Sequence, residues 1–201
     1  RDAGFFVCAI EDLVSHAFPC QLVVNGDAHG AKLAYASSSG DTRFLLGPEY
    51  AILREEFWSA PPRQPREVVR HVLVMLGGDD PYHLMPRLLR LVDELTGSWT
   101  VTAVIGPFFA RPEAVEDVAA RLAHPVQVVR DPDSVCRLML EADLAISAGG
   151  QTLYELARAG CPALAIETAA NPAGQMRALH DAGIIRAIGR AEHLQIIEQV
   201  A

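Results

Sequence analysis

The residues best suited to chemistry lie at Ser147-Ala148-Gly149-Gly150-Gln151-Thr152-Leu153-Tyr154-Glu155. There an apolar strand over 143–146 runs through two glycines straight into a helix. Glycines between such elements let the backbone approach a ligand, and the leading N–H groups and dipole of the helix attract an anion. Glu155 falls one turn into the helix, where its carboxylate reaches sugar hydroxyls beside a phosphate. The same residues also have a ligand-free reading: Thr152-x-x-Glu155 is a capping box, and Gly149 and Gly150 can shape a tight corner. A second copy of the pattern shifts the balance toward a ligand. It is His71-Val72-Leu73-Val74-Met75-Leu76-Gly77-Gly78-Asp79-Asp80-Pro81, with Asp80 as N-cap and Pro81 as first helical residue. Two such turns in one parallel sheet bring their helix N-termini around a single crevice, where folds of this kind bind ligands. A diphosphate suits that crevice.

The elements that must position these turns alternate in a βαβα pattern. Strands are expected over 71–76, 99–105, 126–129, 143–146 and 163–167, and helices over 80–95, 112–122, 134–141, 152–159 and 172–182. Leu84, Leu88, Leu91, Val92 and Leu95 form a stripe on the first helix, and Gly160 and Pro162 stop the fourth. Such alternation means a mostly parallel sheet covered on both faces, a Rossmann-like domain over 63–190. Residues 1–62 carry strands over 5–10, 21–24 and 42–46 without long amphipathic helices, a partial α/β unit ending in the proline-rich linker Ala60-Pro61-Pro62-Arg63-Gln64-Pro65. Residues 191–201 are read as a C-terminal helix.

Composition narrows the function classes. A chain of 201 residues, half of them hydrophobic, buries a sizeable core. The net charge of −8, with Lys32 the only lysine, argues against nucleic acid as a partner. An anionic ligand must then be held by helix dipoles and single arginines. Cys8, Cys20, Cys136 and Cys161 lack CxxC spacing, so reduced, buried thiols and a cytoplasmic location are expected. No apolar run is long enough to enter a membrane, no His/Cys/Asp cluster has metal-ligand spacing, and no Gly-x-Ser-x-Gly element points to a serine hydrolase. The chain begins at Arg1 rather than Met, and an incomplete N-terminus is expected.

Three stretches resemble a family. Leu45-Leu46-Gly47-Pro48-Glu49-Tyr50-Ala51-Ile52-Leu53-Arg54-Glu55-Glu56-Phe57, then Leu76-Gly77-Gly78-Asp79-Asp80-Pro81, then 142–156 are similar in order and spacing to the nucleotide-sugar hydrolases of the pseudaminic-acid pathway (PseG) and the related spore-coat polysaccharide proteins (SpsG). The likeness covers nearly the whole chain, with a more distant one to MurG-type glycosyltransferases. It implies a GT-B-like α/β fold and a UDP-sugar ligand, with no further cofactor. By the same resemblance Gly77, Gly78, Asp79, Asp80, Ser147, Gly149, Gly150, Gln151 and Thr152 surround the diphosphate. Glu155 contacts the ribose, Val129-Arg130 lies near the uracil, and Asn171 faces the sugar or phosphate or caps the last helix.

The departures from the family pattern carry information too. Asn171-Pro172 stands where the family has Asn-Gln, and Asp79 replaces a serine, adding a carboxylate that repels a diphosphate unless it points away. The family's histidine on a Gly-x-Gly-His loop is not in this chain. Hydrolysis needs stabilisation of charge on the leaving diphosphate and a base for the attacking water. The glycine turns supply the first. For the second, His83 and His29 are weak candidates whose ordinary reading as surface and loop histidines weighs more. The expected function is hydrolysis of a nucleotide sugar to UDP and free sugar in surface-polysaccharide or nonulosonate-type biosynthesis. Transfer of the sugar to an acceptor is the alternative, and a non-catalytic nucleotide-sugar-binding subunit a third. A partner chain or an upstream segment would complete the site.

Overall fold

The computed structural model describes residues 4–14, 16–168 and 173–193. It divides into two α/β units, Arg1–Leu53 and Arg54–Ala201. The first holds three short parallel strands in the order β1-β2-β3: β1 (Cys8–Ile10), β2 (Leu22–Asn25) and β3 (Arg43–Leu46). Its core is small, with Phe18, Cys20 and Val23 packed against Ala9, Tyr35 and Phe44. The first strand starts at Cys8 rather than Phe5, and Phe5, Phe6 and Ile10 remain exposed. Cys8 is exposed as well, against the expectation of four buried thiols, whereas Cys20, Cys136 and Cys161 are buried.

The second unit runs β4 (His71–Met75), α1 (Leu84–Glu94), β5 (Thr100–Ile105), α2 (Pro112–Ala119), β6 (Val126–Arg130), α3 (Val135–Glu141), β7 (Leu144–Ala148), α4 (Thr152–Arg158), β8 (Ala163–Glu167), α5 (Ala173–Asp181) and β9 (Arg186–Arg190). All six strands are parallel, in the order β6-β5-β4-β7-β8-β9. Alternate residues of β4 (Val72, Val74) and then Leu76 face a core shared with Leu84, Met85, Leu88, Leu89 and Val92 of α1 and Val115 of α2. The apolar stripe of α1 therefore differs from the expected one: Met85 and Leu89 turn inward, while Leu91 and Leu95 stay exposed. Either set repeats at helical spacing, and only the sheet decides between them. The helix α4 stops as its sequence predicts. Gly160 takes φ +66°, with Gly160 N–H donating to the Ala157 carbonyl and Cys161 N–H to that of Leu156, a Schellman ending.

β9 has no counterpart among the expected elements. It is an exposed edge strand whose pairing with β8 shifts register between Ala165 and Ile166, and this break hides its alternation in the sequence. The expected helix over 191–201 lies largely outside the described residues.

The boundary between the units falls earlier than the proline-rich stretch, which belongs to the second unit. Arg63 and Arg66 there reach the buried carboxylate of Asp143, at 3.2 and 2.5 Å. The same carboxylate accepts the backbone N–H groups of Arg70 (2.8 Å) and His71 (3.0 Å), tying the amino ends of β4 and β7 together. Burial raises the Asp143 pKa, but these N–H bonds and the Arg66 guanidinium outweigh it and hold the carboxyl below its ordinary value.

Candidate nucleotide-binding crevice

Chain order through the second sheet steps from β4 to β5 to β6, then returns to place β7 on the other side of β4. Strand order reverses between β4 and β7, and open α/β sheets take ligands at the carboxyl edge of such a switch point. Both glycine turns sit there. Met75 pairs with Ser147, so Gly77 and Gly149, each two residues further on, leave neighbouring strands at the same edge. Neighbouring strands lie about 4.8 Å apart.

Gly77 (φ +85°) and Gly150 (φ +110°) hold backbone conformations that side chains resist, and a Cβ on either would meet nothing within 4 Å. The first turn is backed by the loop after β5. Phe108 N–H donates to the Gly78 carbonyl at 2.8 Å, and a Cβ at Gly106 would overlap the carbonyl oxygens of Gly77 and Gly78. Gly106 is thus part of the turn's support. In the sequence it is one isolated glycine, and only the pairing of β4 with β5 gives it meaning.

The two helix starts differ. α1 begins at Leu84, not at Asp80, and His83 before it adopts a left-handed conformation. Asp80 folds back beneath this start, accepting Leu84 N–H and Met85 N–H at 2.8 Å each. The carboxylate thereby occupies the amides and dipole end that the sequence reading offered to a diphosphate. Asp79 is exposed and accepts the Asp80 N–H at 2.7 Å. At α4, Leu153 N–H and Tyr154 N–H are taken by the carbonyls of Gly150 and Gln151.

Glu155 lies in the first turn of α4 with its side chain 4% exposed. It does not close a capping box. Its two carboxylate oxygens accept Arg54 Nε–H at 2.7 Å and Arg54 Nη2–H at 2.6 Å, a bidentate pair spanning 101 positions of sequence. Arg54 lies within the quoted motif, yet no spacing rule links residues so far apart.

The other expected site residues scatter. Gln151 is exposed and Thr152 half-buried at the turn, while Ser147 is fully buried within β7, its hydroxyl bonded to the Ala148 carbonyl. Val129 lies on the edge strand β6, two strands from β4, followed by Arg130, whose side chain pairs with Glu116. Asn171 lies outside the described residues. His83 borders a hollow of about 50 Å³ with Asp80, Phe109 and Arg111, and His29 belongs to the first unit. Among the described residues no group of His, Cys, Asp or Glu is arranged to hold a metal ion, and no helix is long and apolar enough to cross a membrane.

Parallel sheets of three and six strands, the larger with its switch point at two glycine turns, define the α/β GT-B class. The whole chain superposes on 60% of Acinetobacter baumannii MurG with a TM-score of 0.64 and 18% identity, a likeness of fold. In sequence it is similar to the spore coat polysaccharide biosynthesis protein SpsG of Bacillus subtilis, 28% identical over 173 residues covering 85% of this chain and 50% of SpsG. It is also 25% identical over 138 residues to an uncharacterized protein of Methanocaldococcus jannaschii, covering 66% of this chain. The chain thus spans 28% and 50% of the lengths of these two curated relatives. No family model matches.

Proposed function

We propose that the second unit binds the UDP portion of a nucleotide sugar at the carboxyl edge between β4 and β7, and that the sugar is released by hydrolysis. The observation that carries this reading is the meeting of two strand-glycine-helix turns at the one place where strand order reverses. The similarity to SpsG supports a role in polysaccharide biosynthesis. Amides of the Gly150–Thr152 turn face the charge that grows on the departing diphosphate, and Glu155 meets the ribose hydroxyls. Asp79 and Asp80 remain acidic neighbours, with Asp80 already engaged by α1. The base that takes the proton of the attacking water is assigned to none of these residues. An upstream segment or a partner chain supplies it in this scheme.

Calorimetric titration with UDP tests the site. Glu155→Gln is expected to weaken binding by about 1 kcal/mol or more, and unchanged affinity would remove Glu155 from the ribose subsite. Incubation with UDP-sugars in the absence of any acceptor tests the reaction: release of UDP and free sugar is the expected result. The GT-B likeness to MurG favours one second reading, transfer to an acceptor, for which release would depend strictly on that acceptor.

A further inference from the structure

Segment 54–60, which opens the second unit, is fastened to α3 and α4 at several points. Phe57 is fully buried, and the Arg54 guanidinium lies 5.5 Å from its ring centroid. Glu56 accepts the Ser134 hydroxyl at 2.6 Å and the Cys136 N–H at 3.3 Å, at the start of α3. Arg158 of α4 donates to the carbonyls of Trp58 (3.2 Å) and Ala60 (2.9 Å). A guanidinium mounted on so fixed a strap has little freedom, and its planar fork matches a carboxylate in one orientation.

We infer that Arg54 is a positioning residue for nucleotide recognition: its fork fixes the plane of the Glu155 carboxylate so that an outward lone pair accepts a ribose hydroxyl. The inference rests on the UDP reading above. Each carboxylate oxygen has two acceptor directions, and Arg54 occupies the inner one on each; the outer two diverge, and one of them is left for a single ribose hydroxyl. Arg54 also cancels a negative charge beside the expected diphosphate, in a chain whose formal net charge is −8. Half of its side chain is exposed, whereas that of Glu155 is almost wholly buried. The pair is thus asymmetric: the arginine can be replaced with less loss of packing than the glutamate.

The experiment compares UDP with 2′,3′-dideoxyuridine diphosphate, which lacks both hydroxyls, by calorimetry on the native protein, Arg54→Ala and Arg54→Lys, with urea unfolding in parallel. The native protein is expected to prefer UDP by roughly tenfold or more, the worth of a hydrogen bond to a charged group. Arg54→Ala should bring the preference to within about twofold, and Arg54→Lys, a point charge without the fork, should recover only part of it. A variant that unfolds more easily yet keeps the native preference would show a purely structural pair and overturn the inference while leaving UDP binding intact. Equal native affinity for the two nucleotides would overturn it as well. Failure of the native protein to bind UDP would instead remove the underlying reading. Loss of folding in both variants would assign the pair to stability and refute the positioning role.

Discussion

Asp143 gathers two arginine side chains and two backbone amides on one buried carboxylate. Removing it leaves Arg63, itself only 10% exposed, without its counter-charge. Asp143→Ala should therefore cost about 3 kcal/mol or more in urea unfolding at neutral pH. Because its folded pKa lies below the unfolded value of roughly 3.9, the unfolded chain binds the proton more readily. Its contribution is complete above that value and is lost as pH falls through the folded pKa. Unfolding midpoints recorded from pH 5 downward should decline more steeply in the native protein than in Asp143→Asn. An unchanged slope would mean that other carboxylates dominate the acid limb. No pattern in the sequence announces this cluster, since Arg63 lies 80 positions from Asp143. What the sequence does show is an aspartate opening a buried strand, a placement that calls for partners.

At the scale of elements, signals confined to a few neighbouring residues were legible. Gly160 stops α4 as read, because a left-handed glycine cap is decided by local backbone sterics. The start of α1 differs from its sequence signal for the opposite reason: Asp80-Pro81 looks like cap and first turn, but the chain spends three more residues, including left-handed His83, before Leu84 enters the core. Asp80 still serves the helix, from one turn further back. Asp80→Ala should destabilise the protein by about 1–2 kcal/mol, with Asp80→Asn milder because one acceptor survives, as thermal unfolding would reveal. The loop after β5 gives a second test. Gly106→Ala forces a methyl group into the Gly77 and Gly78 carbonyls, and about 1–3 kcal/mol of overpacking strain is expected. If the first turn belongs to the nucleotide site, UDP affinity should fall in this variant even under conditions where it is fully folded. Unaltered affinity would confine the ligand to the α4 turn.

Across the whole molecule, the parallel sheet and its order of helices could be read from alternation alone, whereas the seam between units could not. A run of prolines looks like the divide, yet upstream of it Arg54 is bonded to Glu155 of α4, Glu56 to Ser134 at the start of α3, and Phe57 is fully buried. Truncation distinguishes the two boundaries. A fragment starting at Arg54 should unfold cooperatively in urea, while one starting at Arg63 loses the buried Phe57 and the partner of Glu155 and should be less stable by several kcal/mol. Equal midpoints would return the boundary to the prolines. The distribution of thiols has a practical corollary. Burial pushes Cys161 up to about 11 and raises Cys136, so neither supplies a reactive thiolate at neutral pH, and Cys20 is shielded by its packing. Cys8 alone faces solvent. A maleimide dye added to the native protein should mark that single position, giving a fluorescent reporter on the smaller unit without any engineered cysteine.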